Sequence, residues 1–402
     1  MVVAAERTRI PEHTRHTRAM AQNTKESDEG KFLGDLERPG LVFANLGPNW
    51  FAVVMGTGIV ATAAATLPVR IPGLHNFGLI MWVISAVLLV ALLIAWAIHW
   101  TKYRSTALKY IDDPILAQFY GAPPMAILTV GLGTMLLGKD LIGVQAAVVV
   151  DWILWPIGTI SGLICAVTIP YVMFTRGQAK ADGAFGGWLM PLVPPMVAAN
   201  AGAVLVAHLP AGQAQLTMVM FCYAMFGVSL VTSIIVITLI WARMVFHPML
   251  PVLLVPTLWI VLGPLGQSIT AANNLSGAVV NNLPGPFDDE MLAFGLLYGI
   301  PTWGFAVFWA VLAGAITIHV ARQRLPFGLT WWSFTFPVGT CVTATSALAL
   351  RSESDFFRYL AVVFFFGLLI AWVTVSIRTF RHGFRGRLFL PPALAAAAAT
   401  EN

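Results

Sequence analysis

A hydroxyl-rich stretch interrupted by proline, WWSFTFPVGTCVTATSALAL at 331–350, carries the densest set of side chains that could do chemistry. At ~1.5 Å per residue it is long enough to cross the apolar core of a bilayer. In hydrocarbon, a backbone carbonyl freed by proline is costly unless protein or water bonds it. The stretch therefore belongs inside a helix bundle or beside a water-filled path. Its hydroxyl groups include those of Ser333, Thr335, Thr340, Thr343 and Thr345.

Other apolar segments add uncharged hydrogen-bond donors. Hydroxyls, side-chain amides and helix N-termini suit an anion that is only partly dehydrated. A cation or proton path usually carries intramembrane carboxylates, and the segments that hold these donors have none; Asp151 is expected at the outer interface. The pattern favours an anion path, although each donor taken alone could equally serve an interhelical hydrogen bond. The donors are Thr57, Asn200, Gln267, Ser268 and Thr340.

Two phenylalanines flank Thr335 just before the break at Pro337. An aromatic ring in a membrane helix usually serves packing. At a proline break in the innermost layer, however, Phe334 or Phe336 could close the lumen and open it by side-chain rotation, as hydrophobic constrictions do in channels. The two rings are therefore candidate gates.

Enzyme signatures are scarce in this sequence. It lacks HExxH, a GxSxG motif between strand and helix, a P-loop, and paired carboxylates within one segment. Its three cysteines lie in apolar segments without metal-ligand spacing. We expect no enzyme activity, cofactor, metal site or nucleic-acid partner. A membrane-embedded enzyme would require a polar cluster that converges at one depth in the structure.

The elements that position these residues follow from composition. Of 402 residues, 58% are hydrophobic and 10% charged, which is typical of a polytopic membrane protein. We predict a ten-helix transmembrane domain over 41–382, after a polar tail at 1–40 and before a C-terminal tail at 383–402. Neither tail is expected to enter the membrane. The ten apolar segments cover 48–67, 76–99, 114–138, 144–175, 187–208, 212–243, 249–275, 288–320, 328–350 and 356–380.

Basic residues indicate the orientation. Ten crossings place both termini on one side, and 19 of the 23 Lys and Arg residues fall on that side. The opposite side keeps only Arg70, Lys139, Arg351 and Arg358. By the positive-inside rule, both tails are cytoplasmic.

The segments also alternate in character. Odd segments carry prolines and glycines, whereas even segments are mostly plain apolar rods. This alternation predicts an all-α membrane protein of five helical hairpins, with kinked odd helices inside and regular even helices facing lipid. Prolines recur every 60 to 80 residues, which favours a diverged internal repeat, although membrane helices tolerate Pro and Gly anyway. The predicted breaks and pore-lining residues are Gly56, Thr57, Gly58, Pro124, Pro195, Asn200, Pro256, Pro264, Gln267, Pro337 and Thr340.

Two motifs carry a family resemblance. PNWFAVVMGTGIV at 48–60 and WWSFTFPVGT at 331–340 resemble the first and ninth helices of the tellurite-resistance/dicarboxylate transporter family. That family includes bacterial TehA, fungal malate permeases, sulfite efflux pumps and the slow-type anion channels of plant guard cells. The resemblance implies ten helices, one pore per subunit, a homotrimer, and a phenylalanine on the ninth helix that occludes the pore. Matched on TFP, that residue is Phe336, with Phe334 as the alternative.

The resemblance also implies a substrate class. The expected function is transport of C4-dicarboxylates such as malate, or of sulfite, across a plasma or inner membrane. An uncoupled channel for monovalent anions and a proton-coupled dicarboxylate carrier remain as alternatives.

Overall fold

The computed structural model describes residues 32–36, 38–176, 179–283, 285 and 288–390. The tails predicted at 1–40 and 383–402 fall largely outside this part of the chain. Ten long helical elements dominate the described part. They are α1 (Phe51–Thr66), α2 (Leu74–Lys102), α3 (Ala122–Gly133), α4 (Val144–Thr175), α5 (Pro194–Leu205), α6 (Gln213–Phe246), α7 (Leu262–Asn282), α8 (Asp288–Ala321), α9 (Phe336–Ser352) and α10 (Asp355–Arg385).

The odd helices form a closed inner ring. Each contacts the next in chain order, and α9 returns to contact α1. Each odd helix also packs against the even helix that follows it, which completes five antiparallel hairpins. The predicted ten-helix, all-α architecture is confirmed.

Burial separates the two layers. In the most apolar stretch of α1, α3, α7 and α9 with their flanking turns, 67–78% of residues are buried, against 22–39% in the even helices. The even helices expose large apolar side chains that suit lipid contact. Nine stretches of the described chain are long and apolar enough to span a membrane. The remaining inner element misses this criterion because residues 190–193 separate its 12-residue α-helix, Pro194–Leu205, from the preceding 3-10 turn.

A 3-10 turn precedes every inner α-helix. These turns span Pro48–Trp50, Leu116–Gly121, Gly186–Leu189, Val252–Val261 and Leu329–Phe334. At least one proline lies within the first two positions of α3, α5 and α9, where the missing N–H has no helical partner in any case. The sequence predicted kinks within the inner helices, whereas at α3, α5 and α9 the prolines lie where the α-helix begins. The α-helices α1 and α7 begin at Phe51 and Leu262, without proline at their first two positions. Prolines inside α-helices occur in the outer layer, at Pro156, Pro170 and Pro301.

Side chains satisfy the backbone groups that these junctions leave free. At the start of α5, the buried Ser229 hydroxyl donates to the carbonyl oxygen of Leu192 and accepts from the Met196 amide at 3.0 Å. The Thr335 hydroxyl, at the start of α9, donates to the carbonyl oxygen of Trp332 at 2.7 Å. Such pairing is obligatory where no water reaches the backbone.

Tryptophans tie the outer layer to the inner ring in a repeated way. Four outer helices, α2, α4, α8 and α10, each send an indole N–H to the next inner helix around the ring. The bonds join Trp82 to the Val130 carbonyl and the Thr134 hydroxyl, Trp155 to the Ala198 carbonyl, Trp303 to the Thr345 hydroxyl, and Trp372 to the Thr57 hydroxyl, at 2.9–3.3 Å. This recurrence agrees with a diverged internal repeat.

Both ends of the described chain lie on one face, which we call the terminal face. The Leu33 amide donates to the Phe384 carbonyl at 2.7 Å, and the rings of Trp50 and Phe389 stack with centroids 4.7 Å apart. The inner α-helices all begin toward this face and end toward the opposite one, the distal face. The arrangement fits an even number of crossings.

We predict that Ser229→Ala lowers the melting temperature of the detergent-solubilised protein. The substitution leaves the buried Leu192 carbonyl without its partner, at a cost of about 1–3 kcal/mol, while the Met196 amide keeps its bond to the Val193 carbonyl. Thr232→Ala is the matched control, because this exposed hydroxyl bonds only carbonyls of its own helix. Equal melting temperatures for the two variants would contradict this account of the α5 junction.

Candidate functional site

All five inner elements meet at a small cavity in the half of the ring nearer the terminal face. Its volume is about 30 Å³, which holds a water molecule but leaves no open passage. The lining is almost wholly apolar. One residue from each inner element illustrates it: Met55, Met125, Val193, Gly263 and Phe336.

Phe336 is the first residue of α9 and lines this cavity with Pro337 beside it. Its side chain is only 5% exposed. Phe334 ends the preceding 3-10 turn and points elsewhere, because its ring makes edge contacts with Trp259 and Trp331 at 5.6 Å. Of the two candidate rings, only Phe336 borders the cavity.

Gly263 lies beside open space inside the inner ring of helices. The residue is buried, yet no heavy atom lies within 4 Å of the position that a Cβ there would take. A buried position with room for a side chain faces a void. Gly263 therefore marks the side of α7 that looks toward the axis of the ring.

A second ring of partly accessible positions lies nearer the distal face. Thr66, Leu136, Val204, Asn274 and Ala347 are half-buried, and each follows its cavity residue by eleven positions. Eleven residues are about three helical turns, or ~16 Å, so each pair lies on the same side of its helix. Between the two rings the positions on the inner helices are buried, except Ala65 and Val338, which helical spacing places away from the cavity-facing side. The axis of the bundle is thus accessible at two depths and closed between them.

Polar groups converge on the distal half of this axis. The Asn200 amide donates to the side-chain oxygen of Gln267 at 3.2 Å, and its own oxygen accepts from the Asn274 amide at 2.7 Å. The hydroxyls of Thr270 and Thr343 lie 3.0 Å apart. On α7, Gln267, Thr270 and Asn274 follow Gly263 at helical spacing and share its side. Amides and hydroxyls therefore face one another across the inner ring.

The remaining predicted site residues lie at helix contacts. Thr57 points outward, since its hydroxyl accepts from the indole of Trp372 on α10. Gly56 and Gly58 do not break α1, which continues from Phe51 to Thr66. A Cβ at Gly56 would collide with the Trp332 ring, so this glycine allows α1 and the start of α9 to pack closely.

Thr340 and the prolines also serve the inner ring. The Thr340 hydroxyl lies 3.0 Å from the Leu262 carbonyl oxygen of α7. Pro124 lies against Gly158 and Gly162 of α4. Pro195 is the second residue of α5, Pro256 sits within the 3-10 turn before α7, and Pro264 is in the first turn of α7.

Asp151 departs from its expected place at the outer interface. It lies in the third turn of α4 with only 1% of its surface exposed, packed against Gly131 of α3. Neither carboxylate oxygen has a hydrogen-bond partner among the described residues. The expectation treated Asp151 as the opening of the fourth segment, whereas seven residues of α4 precede it and Gly131 of α3 lies against its carboxylate.

The cavity residues other than Phe336 and Pro337 were missed from sequence. Met55, Met125, Val193, Gly263 and Phe336 recur at intervals of 68 to 73 residues. Aligning the five hairpins on this period would have found them, whereas their residue types carry no chemical signal.

Comparison with known proteins decides the family. A family profile described as voltage-dependent anion channel matches residues 45–380, which is nearly the whole helical domain. The chain belongs to the voltage-dependent anion channel family. The predicted resemblance is confirmed, because its relatives include the fungal transporters that the two motifs indicated.

Three relatives show the range of the family. An uncharacterized transporter of Methanocaldococcus jannaschii is 27% identical over 87% of this chain and 96% of its own length. The sulfite efflux pump of Trichophyton rubrum is 26% identical over 84% of this chain and 91% of its own. The malic acid transport protein of Schizosaccharomyces pombe is 22% identical over 81% of this chain and 75% of its own. This family member is accordingly a multi-pass membrane protein of anion transport, not an enzyme.

We predict that Asn200→Ala destabilises the protein by about 1–3 kcal/mol, because Gln267 and Asn274 lose a buried partner. Asn282→Ala is the control, since that amide bonds only a carbonyl of its own helix. The readout is the melting temperature in detergent. If Asn200→Ala has the same melting temperature as the wild type, the amide chain does not contribute to the stability of the inner ring.

Proposed function

We propose that this protein moves small oxyanions, sulfite first and malate second, through the axis of the inner ring, with Phe336 as the gate. The observation that carries the proposal is the cavity bordered by all five inner elements, which Phe336 helps to close. Sulfite comes first because the sulfite efflux pump is matched over more of both chains than the malic acid transport protein.

The distribution of charged residues agrees with selectivity for anions. The basic residues of the terminal face include Lys102, Arg243, Arg322, Arg378 and Arg387. They would raise the local concentration of anions at that mouth. The positive-inside rule makes the terminal face cytoplasmic, so the proposed location is a plasma or inner membrane with both tails inside.

The proposed mechanism has two parts. Entering from the terminal face, the anion meets an apolar cavity, where partial dehydration is costly and the Phe336 ring must rotate aside. Beyond it, the amides of Asn200 and Gln267 and the hydroxyls of the distal half replace part of the lost hydration. The resemblance further implies a homotrimer in which each subunit carries its own path.

We predict that Phe336→Ala raises anion flux in proteoliposomes by about tenfold or more, because each ~1.4 kcal/mol removed from a barrier is about tenfold in rate. Labelled sulfite and malate uptake and anion current are the readouts. Phe334→Ala is the matched control, as its ring lies outside the cavity lining. If Phe334→Ala increases the flux and Phe336→Ala does not, the gate is Phe334.

We predict that malate flux does not respond to an imposed pH gradient at fixed voltage. The described inner helices carry no carboxylate that could bind a coupled proton. Malate suits the test because carboxyl groups with pKa values of about 4 remain ionised near neutral pH. Uptake against the malate gradient, driven by the pH gradient alone, would favour the proton-coupled carrier instead.

A further inference from the structure

Arg351 occupies a distinctive place near the C-terminal end of α9. Its Nη2 donates to the carbonyl oxygen of Asn273 on α7 at 3.0 Å. The same nitrogen lies 3.3 Å from the position that a Cβ at Gly277 would take. A side chain at Gly277 would therefore crowd the guanidinium, and the glycine leaves it room to lie across α7.

Helical spacing places this guanidinium over the axis of the ring. Gly277 follows Gly263 by fourteen positions, about four turns, and so lies on the side of α7 that faces the cavity void. Arg351 follows Phe336 along the same side of α9, and the intervening Ala347 is half-buried. Arg351 thus stands at the distal mouth of the path that Phe336 closes nearer the terminal face.

The charge of Arg351 is available to a ligand. Among the described residues, no carboxylate lies within salt-bridge distance of it, whereas Arg358 on the same face pairs with Asp355. Guanidinium has five N–H donors, and the structure assigns one of them to Asn273. Next to Asn273 stands Asn274, the first member of the amide chain that continues to Asn200 and Gln267.

We propose that Arg351, together with Asn274, forms an oxyanion-binding site at the distal mouth that sets the preference for sulfite or carboxylate over chloride. The inference rests on the proposed function, since it concerns the exit of the same path. A planar guanidinium presents paired N–H groups that match two oxygens of one oxyanion, whereas a spherical halide engages only its charge. The amide chain then passes the anion between the mouth and the middle of the path.

The test measures saturable sulfite and chloride flux in phosphatidylcholine liposomes, which removes anionic lipid as a competing occupant. Arg351→Gln is expected to raise KM for sulfite about tenfold with little change in maximum rate. Arg351→Lys keeps the charge but loses the paired donors, so KM for sulfite rises while KM for chloride stays near wild type. Arg358→Gln, the control on the same face, keeps both wild-type values.

Wild-type KM for both anions in Arg351→Gln would overturn the proposal, as would an equal change in sulfite and chloride KM in Arg351→Lys. If Arg351→Gln does not fold, as judged by size-exclusion chromatography, the Arg351→Lys comparison decides. A second measurement is the rise in melting temperature that sulfite gives, which reports binding without transport. If the wild type transports no anion, the proposed function fails, and loss of the sulfite-induced rise in Arg351→Lys still supports the site.

Discussion

The need to satisfy backbone hydrogen bonds away from water governs the inner ring. Every inner element changes from a 3-10 turn to an α-helix within the apolar layer, and each change frees carbonyl and amide groups that hydrocarbon cannot solvate. The Ser229 hydroxyl bonds both a carbonyl and an amide at the start of α5, and the Thr335 hydroxyl bonds one carbonyl at the start of α9. Hydroxyls that in the sequence suggested a solvated path thus form hydrogen bonds with backbone groups of the inner elements. Outer helices supply many of these partners, so the two layers depend on each other.

Close approach of the inner elements makes the axis narrow at the cavity, which is where the proposed gate lies. A Cβ at Gly121 would collide with the backbone of Met190, and one at Gly186 with the backbone of Thr257. Neighbouring elements therefore touch backbone to backbone near the terminal face, which draws the ring tight around a cavity of about 30 Å³. Phe336 is one of the residues that border this narrow point.

Polarity is divided along the axis in a way that suits anions. The half nearer the terminal face is apolar and holds the constriction, and the half nearer the distal face holds side-chain amides, paired threonines and Arg351. In the proposed mechanism, dehydration and rehydration of the anion would take place at different depths. A path that bound its ion tightly throughout would release it slowly, whereas weak neutral donors permit passage. The described inner helices carry no carboxylate that would offer a cation a fixed negative charge.

Much of the architecture could be read from sequence, because apolar length, basic loops and the alternation of broken and plain segments each follow from the physics of a single helix in a bilayer. The family followed from two local motifs. The proline break indicated both Phe334 and Phe336, and the resemblance favoured Phe336. Tertiary structure alone decided the rest. Whether Thr57 faced the axis or Trp372, and whether Asp151 reached the interface or was buried against Gly131, depended on the rotation and end points of helices. Helix rotations and end points are set by contacts between segments far apart in the chain. The positions of Gly263 and of the amide chain from Asn274 to Gln267 could therefore be identified only in the folded inner ring.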